Sequence, residues 1–394
     1  MEESRASVMN MKFLIPTQDD IAKGLTTDKY FIWTEKVLKA KNVNPRVVME
    51  VTTSEWGIFA GLEDVLNLLE GLPVDVYAMP EGSLFFPHEP VLTVVGNYLD
   101  FARFETAILG FLCHASGIAK QSFKFKLACG DKKIYSFGTR RAHPAISAMI
   151  ERSALIGGVD GVSNFIAEKY LGVESIGTMP HALIISFGDQ ISAWKAFDEV
   201  VDERVPRTLL IDTYFDEKTE AILAAENLSR IDAVRLDTPS SRRGNFRKII
   251  EEVKWELKIR GKDKVRIFLS GGIRLEDVIK LRDIADAFGV GTAISAAKPI
   301  DFAMDIVEKD GKFCAKRGKK SGMKQVYRDW NKLEDEIRLF SDEKPEGKEP
   351  MLKKFMENGK ILIKTDFRSA RELALKQMEI IRKLGREEEF LASE

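Results

Sequence analysis

The stretch that decides the fold is VRIFLSGGIRLEDVIKLRDIADAFGVGT, residues 265–292. It reads as an apolar strand, a glycine turn, one helix, a second strand and a second glycine turn. Glycines at such turns let backbone N–H groups approach an anion closely, and a following helix N-terminus adds positive potential. In a (β/α)8 barrel the loops after strands 7 and 8 form the usual phosphate site. The stretch therefore proposes a fold and half of a substrate.

The same beat extends upstream. Apolar, β-branched runs occur at 133–137, 173–178, 208–212, 233–237, 265–270 and 285–290, with a further one within 156–162. Helix-length segments at 186–200, 217–227 and 245–258 separate them. Continuous apolar strands alternating with amphipathic helices predict a parallel sheet buried on both faces. The economical closure is an irregular TIM-like (β/α) barrel over 116–300.

The flanks read differently. Strands are expected at 46–53, 74–80 and 91–98, helices at 62–69 and from about 100 to 128, and a hairpin around Lys309-Asp310-Gly311. A charged loop is expected at 341–350 and an amphipathic helix at 366–384. Neither flank holds a full core alone. Residues 1–115 and 301–394 are expected to combine into one α/β sandwich domain.

Each barrel strand ends in reactive residue types: Ser136-Phe137-Gly138-Thr139-Arg140-Arg141, Gly177-Thr178-Met179-Pro180-His181, Asp212-Thr213-Tyr214, Arg235-Leu236-Asp237-Thr238 and the two glycine loops. Active sites of α/β folds lie at the C-terminal ends of parallel strands. Arg235 and Asp237 are two apart and share a strand face. They suit a phosphate and sugar hydroxyls, or else form a structural ion pair. Arg140 is the better phosphate or carboxylate ligand of its arginine pair. Phe137 could stack on an aromatic substrate or fill core. His181 suits anion binding or proton transfer, and Asp212 suits a metal or hydroxyls.

Composition narrows the class. The chain has 394 residues, 60 basic against 61 acidic, which argues against a dedicated nucleic-acid binder. The Lys316-Arg317-Gly318-Lys319-Lys320 stretch lacks aromatic interleaving. Three cysteines, Cys113, Cys129 and Cys314, form no CxxC pair. Structural zinc and a disulfide framework are not expected, and a reducing cytoplasm is. MEESRASVMNMKF shows no signal-peptide core, and no apolar run is long enough to span a membrane.

The ordered motifs SFGTRRAHPA (136–145), GTMPHAL (177–183), LIDTY (210–214), VRLDTPSSRRG (234–244), SGGI (270–273) and FGVGT (288–292), with TTDKY (26–30), resemble those of the nicotinate phosphoribosyltransferases. These are type II phosphoribosyltransferases, alongside the nicotinamide and quinolinate enzymes. The resemblance covers nearly the whole chain. It implies transfer of phosphoribose from 5-phosphoribosyl-1-diphosphate (PRPP) to nicotinate, with Mg²⁺ and with ATP as co-substrate. It also implies a homo-oligomer, at least a dimer, with Tyr30 reaching in from the neighbour. Phe137 and that Tyr30 would sandwich the ring. Arg140 and Arg235 would hold phosphates, Asp237 the ribose diol, and Asp212 the pyrophosphate or its metal. Gly271, Gly272, Gly291 and Thr292 would cradle the 5′-phosphate. Thr178 belongs to the substrate-binding set, and a contact near Asp160 or Ser163 would choose acid over amide. His181 matches the histidine that ATP-coupled members phosphorylate. The chain lacks the evident basic cluster of the quinolinate branch.

Overall fold

Six of the β-rich runs pair into one parallel sheet in a computed structural model that describes residues 13–392. Of the N-terminal segment read for a signal peptide, all but Phe13 lies outside the described residues. The sheet order is Gly161–Val162, Lys133–Ser136, Ala287–Val290, Arg266–Leu269, Ala233–Leu236, Thr208–Leu210. Every pairing in it is parallel. Ile134, Val234, Ile267, Leu269, Phe288 and Val290 are fully buried, as strands covered on both faces require. Helices Glu105–Cys129, Ser147–Ile156, Gln190–Val200, Glu217–Asn227 and Phe246–Ile259 supply the cover.

The expected eight-fold ring is not closed. No ladder joins the Gly161–Val162 and Thr208–Leu210 edges among the described residues. The run at 173–178, expected as a strand, forms none. A single backbone bond, Ile176 N to Val162 O at 2.8 Å, tethers it to the sheet. Ser175 instead donates through both its N–H and its hydroxyl to Glu168. Local polar bonds thus displace the ladder at a run interrupted by Glu174, Ser175 and Gly177.

The two flanks do meet in one sheet. Arg46–Thr52 pairs antiparallel with Ala303–Lys309 on one side and with Leu92–Asn97 on the other. Val74–Ala78 lies between Leu92–Asn97 and Lys353–Glu357. The expected hairpin forms between Ala303–Lys309 and Lys312–Phe313, although its second strand is short. Asp310 and Gly311 both take positive φ, +49° and +73°, as a two-residue type I′ turn demands. A second core of Val51, Leu66, Phe85, Val94 and Met356 fills this half. No helix among the described residues is long and apolar enough to cross a membrane.

Candidate active site

The C-terminal ends of the parallel strands bring four charged groups together. Arg235 projects from its strand, with Nη2 3.0 Å from Asp237 Oδ2. Its Nε donates to Ser270 Oγ at 2.9 Å, and its Nη1 donates to Thr178 Oγ1. Ser270 Oγ donates to Asp237 Oδ1 at 2.6 Å. The Asp237 N–H donates to Asp212 Oδ2 at 3.0 Å. His181 opens helix His181–Phe187, its Nε2 3.6 Å from Asp237 and 3.8 Å from Asp212, its Nδ1 3.1 Å from Thr213 Oγ1. His181, Thr178, Asp212, Arg235, Asp237 and Ser270 therefore form one network, built from four separate strand ends or loops.

The electrostatics follow from this packing. Burial alone would raise Asp237. His181, Arg235 and Ser270 outweigh it and hold the carboxyl well below its ordinary range. Burial pushes Asp212 up to about 6, against the pull of His181. Asp237 in turn favours the charged imidazole of His181, more strongly than partial burial opposes it. The site thus holds one firmly ionised carboxylate beside one that is poised to take a proton or a cation.

Glycine shapes the floor at one position above all. Gly271 sits at φ +83°, and a Cβ there would lie 2.3 Å from the backbone oxygen of Asp237. Position 271 must be glycine for the SGGI turn to lie against the Asp237 backbone. Gly272, at φ +75°, faces open space. Gly291 and Thr292 lead into the short helix Thr292–Ser295 at the neighbouring strand end. Phe137 lies beneath Arg235, whose guanidinium is 5.9 Å from the ring centre. Its ring also packs 5.6 Å from Phe268 and 6.4 Å from Tyr135.

Other expected residues fall elsewhere. Arg140 lies in the turn Thr139–Arg141, exposed and with no ion-pair partner among the described residues, and it is not part of the Arg235 network. The Ser163 N–H bonds Ser136 O at 3.1 Å, which puts it beside the Phe137 strand end. Asp160 is a structural clamp, paired to Lys126 at 2.8 Å and Lys133 at 3.1 Å at the start of that strand. Tyr30 is half exposed on helix Lys29–Ala40, its ring 4.4 Å from Phe31, and is not part of the network within one chain.

Several functional supports escaped the sequence reading. Arg243 is buried and donates to Thr238 O, Ser270 O and Gly271 O, which ties two strand-end loops together. Glu220 accepts the backbone N–H groups of Thr213, Tyr214 and Phe215, and Glu217 accepts the Thr238 hydroxyl. Arg243 lay within the quoted VRLDTPSSRRG motif. Glu217 and Glu220 read as ordinary acids of a helix first turn, which gave no sign of their loop bonds.

No group of three or more His, Cys, Asp or Glu among the described residues could cage a metal. The three cysteines are free. Asp212 Oδ1, however, is buried with no hydrogen-bond donor. A lone carboxylate oxygen of this kind fits a hard cation that takes its remaining ligands from a phosphorylated substrate and water.

Comparison with known proteins now decides the lineage. The quinolinate phosphoribosyl transferase N-terminal domain matches residues 28–116, and its C-terminal domain matches 118–305. The chain belongs to this family, the type II phosphoribosyltransferases. The two matched parts meet inside helix Glu105–Cys129, so one continuous helix joins them. A nicotinate-nucleotide pyrophosphorylase structure from Pyrococcus furiosus is 52% identical, with a TM-score of 0.92, over 94% of this chain and 99% of that one. A Mycobacterium tuberculosis nicotinate phosphoribosyltransferase is 30% identical over 64% of this chain and 57% of its own length. The Bacillus subtilis nicotinate phosphoribosyltransferase is 30% identical over 60% and 50%. This chain thus spans about half the length of these two curated relatives. The human nicotinic acid phosphoribosyltransferase structure shares the fold, with a TM-score of 0.72 at 19% identity, over 90% of this chain and 94% of that one.

Proposed function

We propose that this phosphoribosyltransferase-family protein joins nicotinate to PRPP, giving nicotinate mononucleotide and pyrophosphate. One observation carries the reading. The Arg235–Asp237–His181–Asp212 network opens beside two glycine turns and an aromatic floor at one end of the parallel sheet. Asp237, held ionised, suits the ribose diol. Its charge would also face the anomeric centre, where positive character develops as the pyridine nitrogen attacks. Gly271, Gly272, Gly291 and Thr292 suit the 5′-phosphate. Phe137 offers a face for the ring, with Arg140 exposed at the rim for the carboxylate. His181 and Arg235 suit the departing pyrophosphate. When bound, Mg²⁺ would neutralise charge on that leaving group, and Asp212 is the residue that would hold it. No proton need reach the ring nitrogen, so the protein's work is positioning and charge stabilisation.

ATP coupling through a phosphorylated His181 is part of this proposal. Its Nε2 faces two carboxylates, and the imidazole remains 39% exposed at the mouth. A homodimer with shared sites is another part. Tyr30 and Trp33 on one helix, and Phe165, Tyr170 and Phe215 elsewhere, are large exposed aromatic groups that a second copy would cover.

Quinolinate is the second reading. The name of the Pyrococcus relative refers to the nicotinate nucleotide and pyrophosphate that both reactions release. A dicarboxylate would need spare cationic groups. Arg243 is committed to backbone carbonyls and Asp277, and Arg235 serves the pyrophosphate in this reading, which leaves Arg140 for a single carboxylate. That balance favours the monocarboxylate. Purified protein with PRPP, Mg²⁺ and nicotinate, nicotinamide or quinolinate in parallel tests the choice. Mononucleotide and pyrophosphate are expected from nicotinate, faster with ATP. Product from quinolinate alone would overturn the reading. Acid-labile ³²P from γ-labelled ATP, lost in His181→Ala, tests the coupling.

A further inference from the structure

Glu151 is a buried carboxyl that the reading above does not use. It lies on helix Ser147–Ile156, fully enclosed, with no ion-pair partner among the described residues. A charged or polar group so placed is costly unless its hydrogen bonds compensate. Its bonds go to two turns. Oε1 accepts from the Asn164 N–H at 3.1 Å and lies 3.5 Å from Thr139 Oγ1. Asn164 Nδ2 closes the triangle by donating to Thr139 Oγ1 at 3.0 Å.

These two turns are the strand ends nearest the ring face. One carries Phe137 and Arg140, the other Ser163. Strands Lys133–Ser136 and Gly161–Val162 hold them side by side. Beyond the strands, a Ser163 N–H to Ser136 O bond links the backbones, and the Glu151 triangle then links the turns above it. On its far side the first turn abuts the second glycine loop, since a Cβ on Gly138 would lie 2.4 Å from Gly291 O. Any loosening at Glu151 therefore reaches Phe137 and Arg140 before it reaches Asp237 or the SGGI turn.

Resting on the nicotinate reading, we propose that Glu151 is a positioning residue for the pyridine substrate: its Oε1 fixes the turn at 137–140 against the turn at 163–164 and so sets the spacing of the ring slot. The part it plays is that of an acceptor. Glutamine, which keeps an oxygen at the same reach, should serve nearly as well. Alanine, which leaves the Asn164 N–H and Thr139 hydroxyl without their partner, should not.

Steady-state kinetics of the full chain separate this from a general structural role. Nicotinate is varied at saturating PRPP, then PRPP at saturating nicotinate. Glu151→Gln is expected within about threefold of wild type in both KM values, and Glu151→Ala to raise the nicotinate KM about tenfold or more with the PRPP KM little changed. Thr139→Val removes the shared hydroxyl without opening a large void, and should raise the nicotinate KM about threefold. Equal effects of Gln and Ala, or parallel shifts in both KM values, would overturn the inference. Should Glu151→Ala fail to fold, an unchanged nicotinate KM in Thr139→Val would overturn it alone. Wild-type turnover in the same assay judges the nicotinate reading separately. Wild-type silence with every pyridine would end both.

Discussion

Two arginine–aspartate pairs, one in each half of the molecule, show what separates chemistry from architecture. In the parallel half, Arg235 and Asp237 keep 14% and 21% of their side-chain surfaces exposed. Their neighbours His181 and Asp212 leave a half-exposed imidazole and an undonated carboxylate oxygen. In the antiparallel half, Arg328 and Asp335 are 0% and 3% exposed. Arg328 donates to Asp335 at 2.8 Å, to Gln377 Oε1 at 2.8 Å and to Leu84 O at 2.6 Å, between the rings of Phe86 and Trp330. Gln377 carries the bonds on to Gly82 and Leu84. The second pair is enclosed, its bonds joining helix Phe367–Lys383 to strands from both ends of the chain. Arg235 is as fully engaged, since its Nη1 also donates to Met179 O at 3.4 Å, but its pair stays open to solvent beside the undonated Asp212 oxygen. The residue types are the same; exposure at an opening distinguishes the candidate functional pair.

That contrast breaks if the two pairs respond alike to mutation. Asp237→Asn should lower kcat/KM about 10³-fold, the scale of losing one preorganised charge contact, while its melting temperature stays close to wild type. Arg328→Ala should do the reverse. Removing one partner of a buried pair costs about 3 kcal/mol or more, visible as a large fall in melting temperature, while KM values of the surviving folded enzyme hold. An Asp237→Asn protein that unfolds, or an Arg328→Ala protein with native stability, would dissolve the distinction.

Glu89 sharpens it through pH. Burial and the nearby Asp335 push its carboxyl from 4.5 up to about 9. The folded state therefore binds this proton more tightly than the unfolded chain. Stability from this group is full below about 4.5 and is lost as pH rises to about 9. Thermal melts of wild type should decline across that window, and Glu89→Gln should remove that component of the decline. A Glu89→Gln protein with an unchanged pH slope would exclude the mechanism.

The smallest expected effect compares two glycines. Gly272 and Gly311 have nearly the same backbone, φ +75° and +73°, and neither has a neighbour within 4 Å of a built Cβ. Alanine at either should cost about 1 kcal/mol of stability for its left-handed conformation. Only Gly272→Ala should also raise the PRPP KM. Equal PRPP kinetics for both variants would remove the SGGI turn from the phosphate site.

Much of this contrast was legible in the chain itself. The strands at 233–236, 266–269 and 287–290, the helices at 62–69 and 217–227, and the turn at Asp310-Gly311 follow from periodicity and local backbone preference. So does the gathering of Asp212, Arg235, Asp237 and Gly271 at strand ends, since a parallel sheet brings its C-terminal ends to one side; Thr178 and His181 join them from a loop and helix start where a strand end was expected. The run at 173–178 misled, because its apolar periodicity could not reveal that Glu168 would capture Ser175. Asp160 misled too: its partners, Lys126 and Lys133, come from a helix end and a strand start that only packing brings together.

What the sequence determined alone was the alternation of elements, the glycine turns and the residue types at strand ends, because these rest on interactions within a few residues. The tertiary structure decided which charges stayed open to solvent. Arg235 lies two residues from Asp237 in the chain, and Arg328 sits opposite Asp335, seven residues on, across its hairpin, so local sequence gives both a partner. Whether anything else arrives to satisfy them depends on groups 49 residues away, as with Gln377 for Arg328, or 57, as with Thr178 for Arg235. Burial then sets the cost of every bond left unmade, and burial belongs to the fold as a whole.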